Sequence, residues 1–231
     1  MLIRSKMLAI FYFFVLIGVT VNDYADAAYV ANVTIGSPPQ TFQIIFDTSS
    51  GYTFVPDISC NDSSSCNTFG CNIPFVCSVL CDKQECCTGR PPSGTEQIGC
   101  DNLHKFNSTA SWTYKSLDRR GSTIYDNGLL VDLFYGADTF SFGTADTSPL
   151  TVPGTTFGQT FLVIPLGSNE DPADGIVGLA LPPSTGEDNV VSPFVEAINQ
   201  GLVDNPVFTA FLETDGSNAL NAPGGSYTFG G

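Results

Sequence analysis

The chain is short of cations, histidine, tryptophan and methionine, with eight Lys and Arg, one His, one Trp and two Met in 231 residues. Each shortage excludes something. Eight cations against 23 acidic residues leave a net charge of −15, so the chain cannot neutralise a phosphate backbone and nucleic acid is excluded as a partner. The acidity suits solubility or an acidic working compartment. Long helix-forming stretches are also scarce. In their place stand 18 Phe, eight Tyr, 23 Gly and 15 Pro, a composition of many short strands joined by turns. A hydrophobic content of 42% suffices for a packed core at this length. The expected class is all-β with minor α.

There is one long apolar run. Arg4 and Lys6 precede Met7 to Val21, interrupted only by Gly18 and Thr20. The run is shorter than the roughly 18 to 20 apolar residues that span a bilayer, and it reads as the h-region of a secretory signal peptide. Small Ala25 and Ala27 suit cleavage after Ala27, which gives a leader over 1–27, a mature chain over 28–231 and no stable membrane anchor. An uncleaved anchor is the rival reading. The destination expected is secreted or lysosomal.

All eight cysteines, Cys60, Cys66, Cys71, Cys77, Cys81, Cys86, Cys87 and Cys100, fall within residues 60–100. In an exported chain this is a disulfide-stapled insertion, with roughly a hundred possible full pairings. Zinc is disfavoured because the spacing is irregular and His104 lies outside the window. No metal or cofactor is expected. The triplets at Asn32, Asn61 and Asn107 are N-glycosylation sequons. Asn61 and Asn107 lie in polar loops and are the preferred acceptors, whereas Asn32 falls in an expected strand.

Strands are expected near 28–35, 41–47, 111–116, 121–125, 129–135, 138–142, 160–164, 176–179, 207–212 and 226–229. One helix is well signalled: Ser192 as N-cap, Pro193 at its first position, Phe194, Val195 and Ile198 on one face, and Gly201 as terminator. No repeat or interdomain linker is evident.

The segment richest in chemistry is Phe42, Ile44, Ile45 and Phe46 running into Asp47-Thr48-Ser49-Ser50-Gly51. A strand that delivers a carboxylate into a Ser/Thr-rich turn sets the acid beside hydroxyl and backbone N–H donors. An ordinary strand followed by a polar turn has the same pattern. The flanks are Tyr29-Val30-Ala31-Asn32-Val33-Thr34-Ile35-Gly36-Ser37-Pro38-Pro39-Gln40-Thr41-Phe42 before and Tyr52-Thr53-Phe54-Val55-Pro56 after. Together they resemble the amino-terminal lobe of pepsin-like aspartic proteases, with their run "IGxPxQxFxxxxDTGSSxxWVP". Asp138-Thr139-Phe140-Ser141-Phe142-Gly143, Phe157-Gly158-Gln159, Ala173-Asp174-Gly175-Ile176-Val177-Gly178-Leu179-Ala180 and Asn199-Gln200-Gly201-Leu202-Val203 extend the likeness in order.

The resemblance implies a pepsin-like acid protease lobe, truncated before the carboxy-terminal lobe, with an enlarged Cys-rich insertion over 60–100. Cys60 corresponds to the family's short disulfide loop; its partner stays open. The implied activity is aspartic-type endopeptidase action on polypeptide substrate. Asp47 matches the first catalytic carboxylate, Thr48 the packing and hydrogen-bonding residue after it, and Ser50 the serine that holds the acid. Tyr125 in Tyr125-Asp126-Asn127-Gly128 is the nearest match to the flap tyrosine, where a plain hairpin turn is the alternative. Two residues depart from the pattern and one motif is wanting. Ser49 replaces a glycine after Asp-Thr, Phe54 replaces a Trp, and no second Asp-Thr/Ser-Gly occurs, Asp215-Gly216-Ser217 lacking the middle hydroxyl residue. Asp174-Gly175 fits a structural turn. A basic propeptide segment between leader and first strand is also missing from this stretch.

One carboxylate cannot share a proton, so the resemblance implies that this polypeptide alone is inactive and needs a carboxy-terminal lobe, or a second copy lending its own Asp47. A secreted, non-catalytic peptide-binding protein with the same cleft is the alternative.

Overall fold

The computed structural model describes residues 17–60, 100, 103–124, 130–163, 173–181, 190–214 and 220–230. Ten strands are present among them: β1 (Ile17–Tyr24), β2 (Ala28–Ile35), β3 (Gln40–Asp47), β4 (Thr53–Pro56), β5 (Lys115–Ile124), β6 (Leu130–Phe142), β7 (Leu150–Val163), β8 (Gly175–Gly178), β9 (Phe208–Leu212) and β10 (Leu220–Phe229). They form one sheet in the order β5-β6-β7-β4-β8-β3-β2-β1-β10-β9. The far end of β6 also pairs with β2, Val33 opposite Phe142 and Ile35 opposite Phe140, so the sheet folds back on itself. The class is all-β with a single α-helix among the described residues, as the composition implied.

The fold-back encloses an aromatic core. Phe46 packs against Tyr227 at 4.6 Å, Phe229 at 5.7 Å and Phe142 at 6.1 Å between ring centroids. Phe106 meets Phe157 edge-on at 5.1 Å. Offset and edge-to-face rings at these separations add about 0.5–1.5 kcal/mol per pair beyond the area they bury. Helix α1 (Pro193–Asn199) closes this core from one side. Ser192 Oγ accepts Val195 N–H at 3.3 Å, Pro193 occupies the first turn, and Phe194 lies 5.2 Å from Phe229. Gly201 ends the turn with φ +68°, a conformation that favours glycine.

Several strands differ from expectation. The pieces expected at 129–135 and 138–142 are one strand, β6, bent where its register with β7 shifts between Asp138 and Phe140. β7 begins ten residues earlier than expected, at Leu150 rather than near 160, and Pro153 is tolerated within it. β5 starts at Lys115, because Ser108–Ala110 form a 3₁₀ turn and Ser111 to Tyr114 lead out of it. β4 was not expected as a strand at all; it is four residues long and all four are buried.

β1 was not expected either. Residues 17–24 read as the end of an apolar leader, yet Ile17, Val19, Val21 and Asp23 are buried in strict alternation with Gly18, Thr20, Asn22 and Tyr24. The period of two was present inside the apolar run and was masked by it. Burying each of the three aliphatic side chains contributes about 1.5–3 kcal/mol.

Cys60 is paired with Cys100, joining the two ends of the cysteine-rich segment across 40 residues of sequence. Cys66, Cys71, Cys77, Cys81, Cys86 and Cys87 lie outside the described residues, as do Asn61, Tyr125 and Asp215-Gly216-Ser217. No helix among the described residues is long and apolar enough to cross a membrane.

Candidate active site

β3 ends on Asp47 in the middle of the sheet, flanked by β2 on one side and by β8 on the other. The chain then turns through Thr48 to Tyr52, passes over β8 and returns as β4 on its far side. β8 runs parallel to β3, with Asp47 opposite Gly178, and antiparallel to β4, with Thr53 opposite Val177. The turn is therefore straddled across one short strand, and glycines let it sit close. A Cβ on Gly178 would stand 2.4 Å from the Gly51 carbonyl carbon, and one on Gly175 would stand 2.1 Å from the Phe54 carbonyl oxygen. Leu179 N–H donates to the Asp47 carbonyl at 2.8 Å, Ala180 N–H to the Ser50 carbonyl at 3.1 Å, and Gly178 N–H to Thr53 Oγ1 at 3.2 Å. The glycines of Gly175-Ile176-Val177-Gly178 are thus the mould of the acid-bearing turn.

The carboxylate itself is held by three donors. Asp47 Oδ1 accepts Ser49 N–H at 2.8 Å and Ser49 Oγ–H at 2.6 Å, and Oδ2 accepts Ser50 Oγ–H at 2.6 Å. Asp47 is half-buried, whereas Thr48 and Ser49 are exposed. Charge-assisted bonds of this length fix the orientation of an acid. Of the residues singled out from sequence, Asp47, Ser49 and Ser50 come together. Thr48 stands beside them with its side chain exposed to solvent.

A second carboxylate serves the frame. Asp174 is buried, and its Oδ2 accepts Gln43 N–H at 2.7 Å while Oδ1 accepts His104 N–H at 2.7 Å. The exposed imidazole of His104 approaches the same group, with Nδ1 2.9 Å from Oδ2. Desolvation pushes the Asp174 carboxyl above its ordinary value, opposed by the bonds from Gln43 and His104 and by the imidazole. Asp174 therefore pins the entry of β8 to β3 and to the segment before Phe106. The role of His104 here had no signal in sequence beyond its being the single histidine.

Phe54, which stands where the resemblance has a Trp, is buried with Val131, Leu133, Tyr135, Ile176 and Val190 in a second core. β5 and β6 pair up to Ile124 opposite Leu130. Asn107 caps the 3₁₀ turn, its Oδ1 accepting Thr109 N–H at 3.1 Å and Thr109 Oγ–H at 2.7 Å. Asn32 is exposed on β2 opposite Gln43. Among the described residues no cluster of His, Cys, Asp or Glu is arranged to hold a metal ion.

Comparison with known proteins agrees with this geometry. Residues 28–231 match the family model described as eukaryotic aspartyl protease. Aspartic protease 2 of Necator americanus is 33% identical over 211 residues, which is 90% of this chain and 48% of that protein. Aspartic protease 10 of Caenorhabditis elegans is 32% identical over 222 residues, 91% of this chain and 49% of that protein. Human gastricsin is 29% identical over 215 residues, 90% of this chain and 42% of that protein. The chain thus spans about half the length of the curated relatives it matches. With the match running from the start of β2 through the acid-bearing turn to the last residue, the chain belongs to the eukaryotic aspartyl protease family.

Proposed function

We propose that this chain is the amino-terminal lobe of an aspartic-type endopeptidase of the secretory pathway, in which Asp47 is the first of two carboxylates that activate water against a peptide bond. The observation that carries this reading is the fixation of Asp47 at the end of β3 by Ser49 and Ser50. In the reaction, the ionised member of the pair takes a proton from water as the oxygen attacks the peptide carbonyl, and the protonated member gives its proton to the carbonyl oxygen. The tetrahedral diol collapses as the departing nitrogen is protonated, and no enzyme-bound covalent intermediate forms. Asp47 supplies one carboxylate, Ser50 and Ser49 orient it, and Tyr125 is the residue proposed to cover the bound peptide.

The second carboxylate comes from a complementary lobe. Two observations support this. Thr48, next to the acid, is exposed, and β9 leaves a hydrophobic sheet margin uncovered, with Phe211 62% and Leu212 42% exposed. Residues 1–231 by themselves are therefore inactive. In this reading Asn107 is an N-glycan acceptor, its sequon residue Thr109 bonding its Oδ1.

A peptide-binding protein without hydrolysis is favoured by one contact, the Ser49 hydroxyl on Asp47 Oδ1 at 2.6 Å, which takes up a carboxylate lone pair that a water could use. The longest product of the transcript, assayed on a denatured protein substrate at acid pH, separates the readings. Hydrolysis that falls at least about a thousandfold in Asp47→Asn supports the protease. Peptide binding with no cleavage supports the binder and overturns it, and cleavage gained in Ser49→Gly would identify the Ser49 hydroxyl as what withholds it.

A further inference from the structure

Strand β1 and the leader expected from sequence lay claim to the same residues. The strand is not a loose margin. Val21, Asn22, Asp23 and Tyr24 pair on both sides at once, opposite Ala31, Val30, Tyr29 and Ala28 of β2 and opposite Gly225, Pro223, Ala222 and Leu220 of β10. Ile17 to Thr20 continue the pairing with β10, opposite Phe229 to Ser226. Without β1, the seven strands from β5 to β2 on one side of the sheet order would be parted from β10 and β9 on the other.

The neighbours are shaped to receive it. A Cβ on Gly224 would stand 2.7 Å from the Asp23 backbone nitrogen and 3.0 Å from the Asn22 carbonyl carbon, so β10 has a glycine where β1 crowds it. The turn from β1 to β2 is equally specific. Ala25 and Asp26 both adopt left-handed backbone, φ +59° and +56°, Ala27 N–H donates to the Tyr24 carbonyl at 3.1 Å, and Asp26 N–H donates to Asp23 Oδ1 at 2.8 Å. The two successive left-handed residues are the centre of a tight turn within the three-residue connection that sets Tyr24 opposite Ala28. Cleavage after Ala27 would cut this hairpin at the mouth of β2 and detach the strand it carries.

We infer that the folded protein keeps the doubly paired half of β1, Val21 to Tyr24, and that leader removal takes place on the amino-terminal side of Val21 and not after Ala27. The remaining sequence still makes a leader. Arg4 and Lys6 precede Met7 to Ile17, an uninterrupted apolar stretch within the roughly 7–15 residues of an h-region. Gly18-Val19-Thr20 then sets small residues one and three places before the Thr20–Val21 peptide bond, the pattern a signal peptidase hydrolyses with water. A chain beginning at Val21 retains every residue of β1 that is paired on both sides.

Expression of residues 1–231 in a eukaryotic secretory host, followed by mass spectrometry of the amino terminus of the product, tests this. The expected first residue is Val21 or an earlier one. Ala27 is exposed, so Ala27→Leu blocks a junction after it without touching the core; the expected terminus is unchanged in that variant. A product beginning at Ala28, or processing lost in Ala27→Leu, overturns the inference. A third variant, Gly224→Ala, reads the contact directly: its melting temperature drops if β1 lies against β10 in the product, and a melting temperature equal to wild type also overturns it.

Discussion

The two margins of the sheet are built differently. β5, at one end of the order, carries Lys115, Arg119 and Arg120, and its register with β6 slips between Ser116 and Arg119, where Asp118 has φ +48°. The Arg119 guanidinium lies 4.4 Å over the ring of Tyr135 on β6. β9, at the other end, reads Phe-Thr-Ala-Phe-Leu without a charge, and exposes Phe211 (62%) and Leu212 (42%). In a chain of net charge −15, three of the four basic residues among those described, Lys115, Arg119 and Arg120, fall on β5, the fourth being Lys105. Charged side chains and bulges are the means by which a sheet edge is kept from pairing with another chain. The contrast teaches that β5 is a guarded margin and β9 an open one, which is what the complementary lobe proposed above would require.

The largest effect that could break this contrast is on assembly. Phe211→Lys places a charge on the open margin, and Leu117→Lys places one on the guarded margin. In a two-lobed product, the first is expected to lower kcat by about a hundredfold or more, because a dyad held out of register by even an ångström loses that much. The second leaves kcat within about twofold. Phe211 is exposed in this chain, so residues 1–231 carrying Phe211→Lys keep their melting temperature. Equal activity in the two variants would show that β9 is not where the complement docks.

How much of this was legible in the sequence depended on whether the signal was local. The acid-bearing turn could be read because an apolar strand, an acid and hydroxyl residues are contiguous over Phe42 to Ser50. Helix α1 could be read because Ser192, Pro193 and Gly201 each have a positional reason. The open margin of β9 could not, since nothing in Phe-Thr-Ala-Phe-Leu says which strand lacks a neighbour; that is a property of the sheet order. β4 escaped notice because four buried residues show no alternation. The pairing of Cys60 with Cys100 and the contact of His104 with Asp174 join residues 40 and 70 positions apart, where no periodicity reaches.

A change in the interior supplies a control for both margins. Asp174 presents its two oxygens to two backbone N–H groups, from Gln43 and His104. Asp174→Asn turns one acceptor into a donor facing a donor, and is expected to cost about 1–3 kcal/mol of stability with no change in self-association. The pH dependence has a definite sign. Burial raises the carboxyl above 3.8 in the folded state, so the folded chain binds more protons than the unfolded one between the ordinary and the raised value. Wild-type stability from this group is then fully present below the ordinary value and lost as pH rises through the raised one. Denaturant titrations at several pH values should show the gap between wild type and Asp174→Asn narrowing from acid toward neutral pH. A gap that widens would mean that the His104 imidazole, not desolvation, governs the group.

The smallest effect is the most direct test of the guarded margin. Lys115 and Arg120 are exposed, and neither forms an ion pair among the described residues. Their contribution to folding is therefore small, within about 0.5 kcal/mol for surface substitutions away from special features. Replacing both by threonine removes two charges from β5 while keeping a residue suited to strands, and leaves Arg119 on Tyr135 in place. If those charges act against edge pairing, the double variant melts where wild type melts but aggregates a few-fold faster at equal concentration, by light scattering. Adding Phe211→Lys to it should not slow that growth, because the new contact forms at β5. If the triple variant returns to the wild-type rate, the growth was through β9 all along, and the basic residues of β5 are there for some purpose other than guarding an edge.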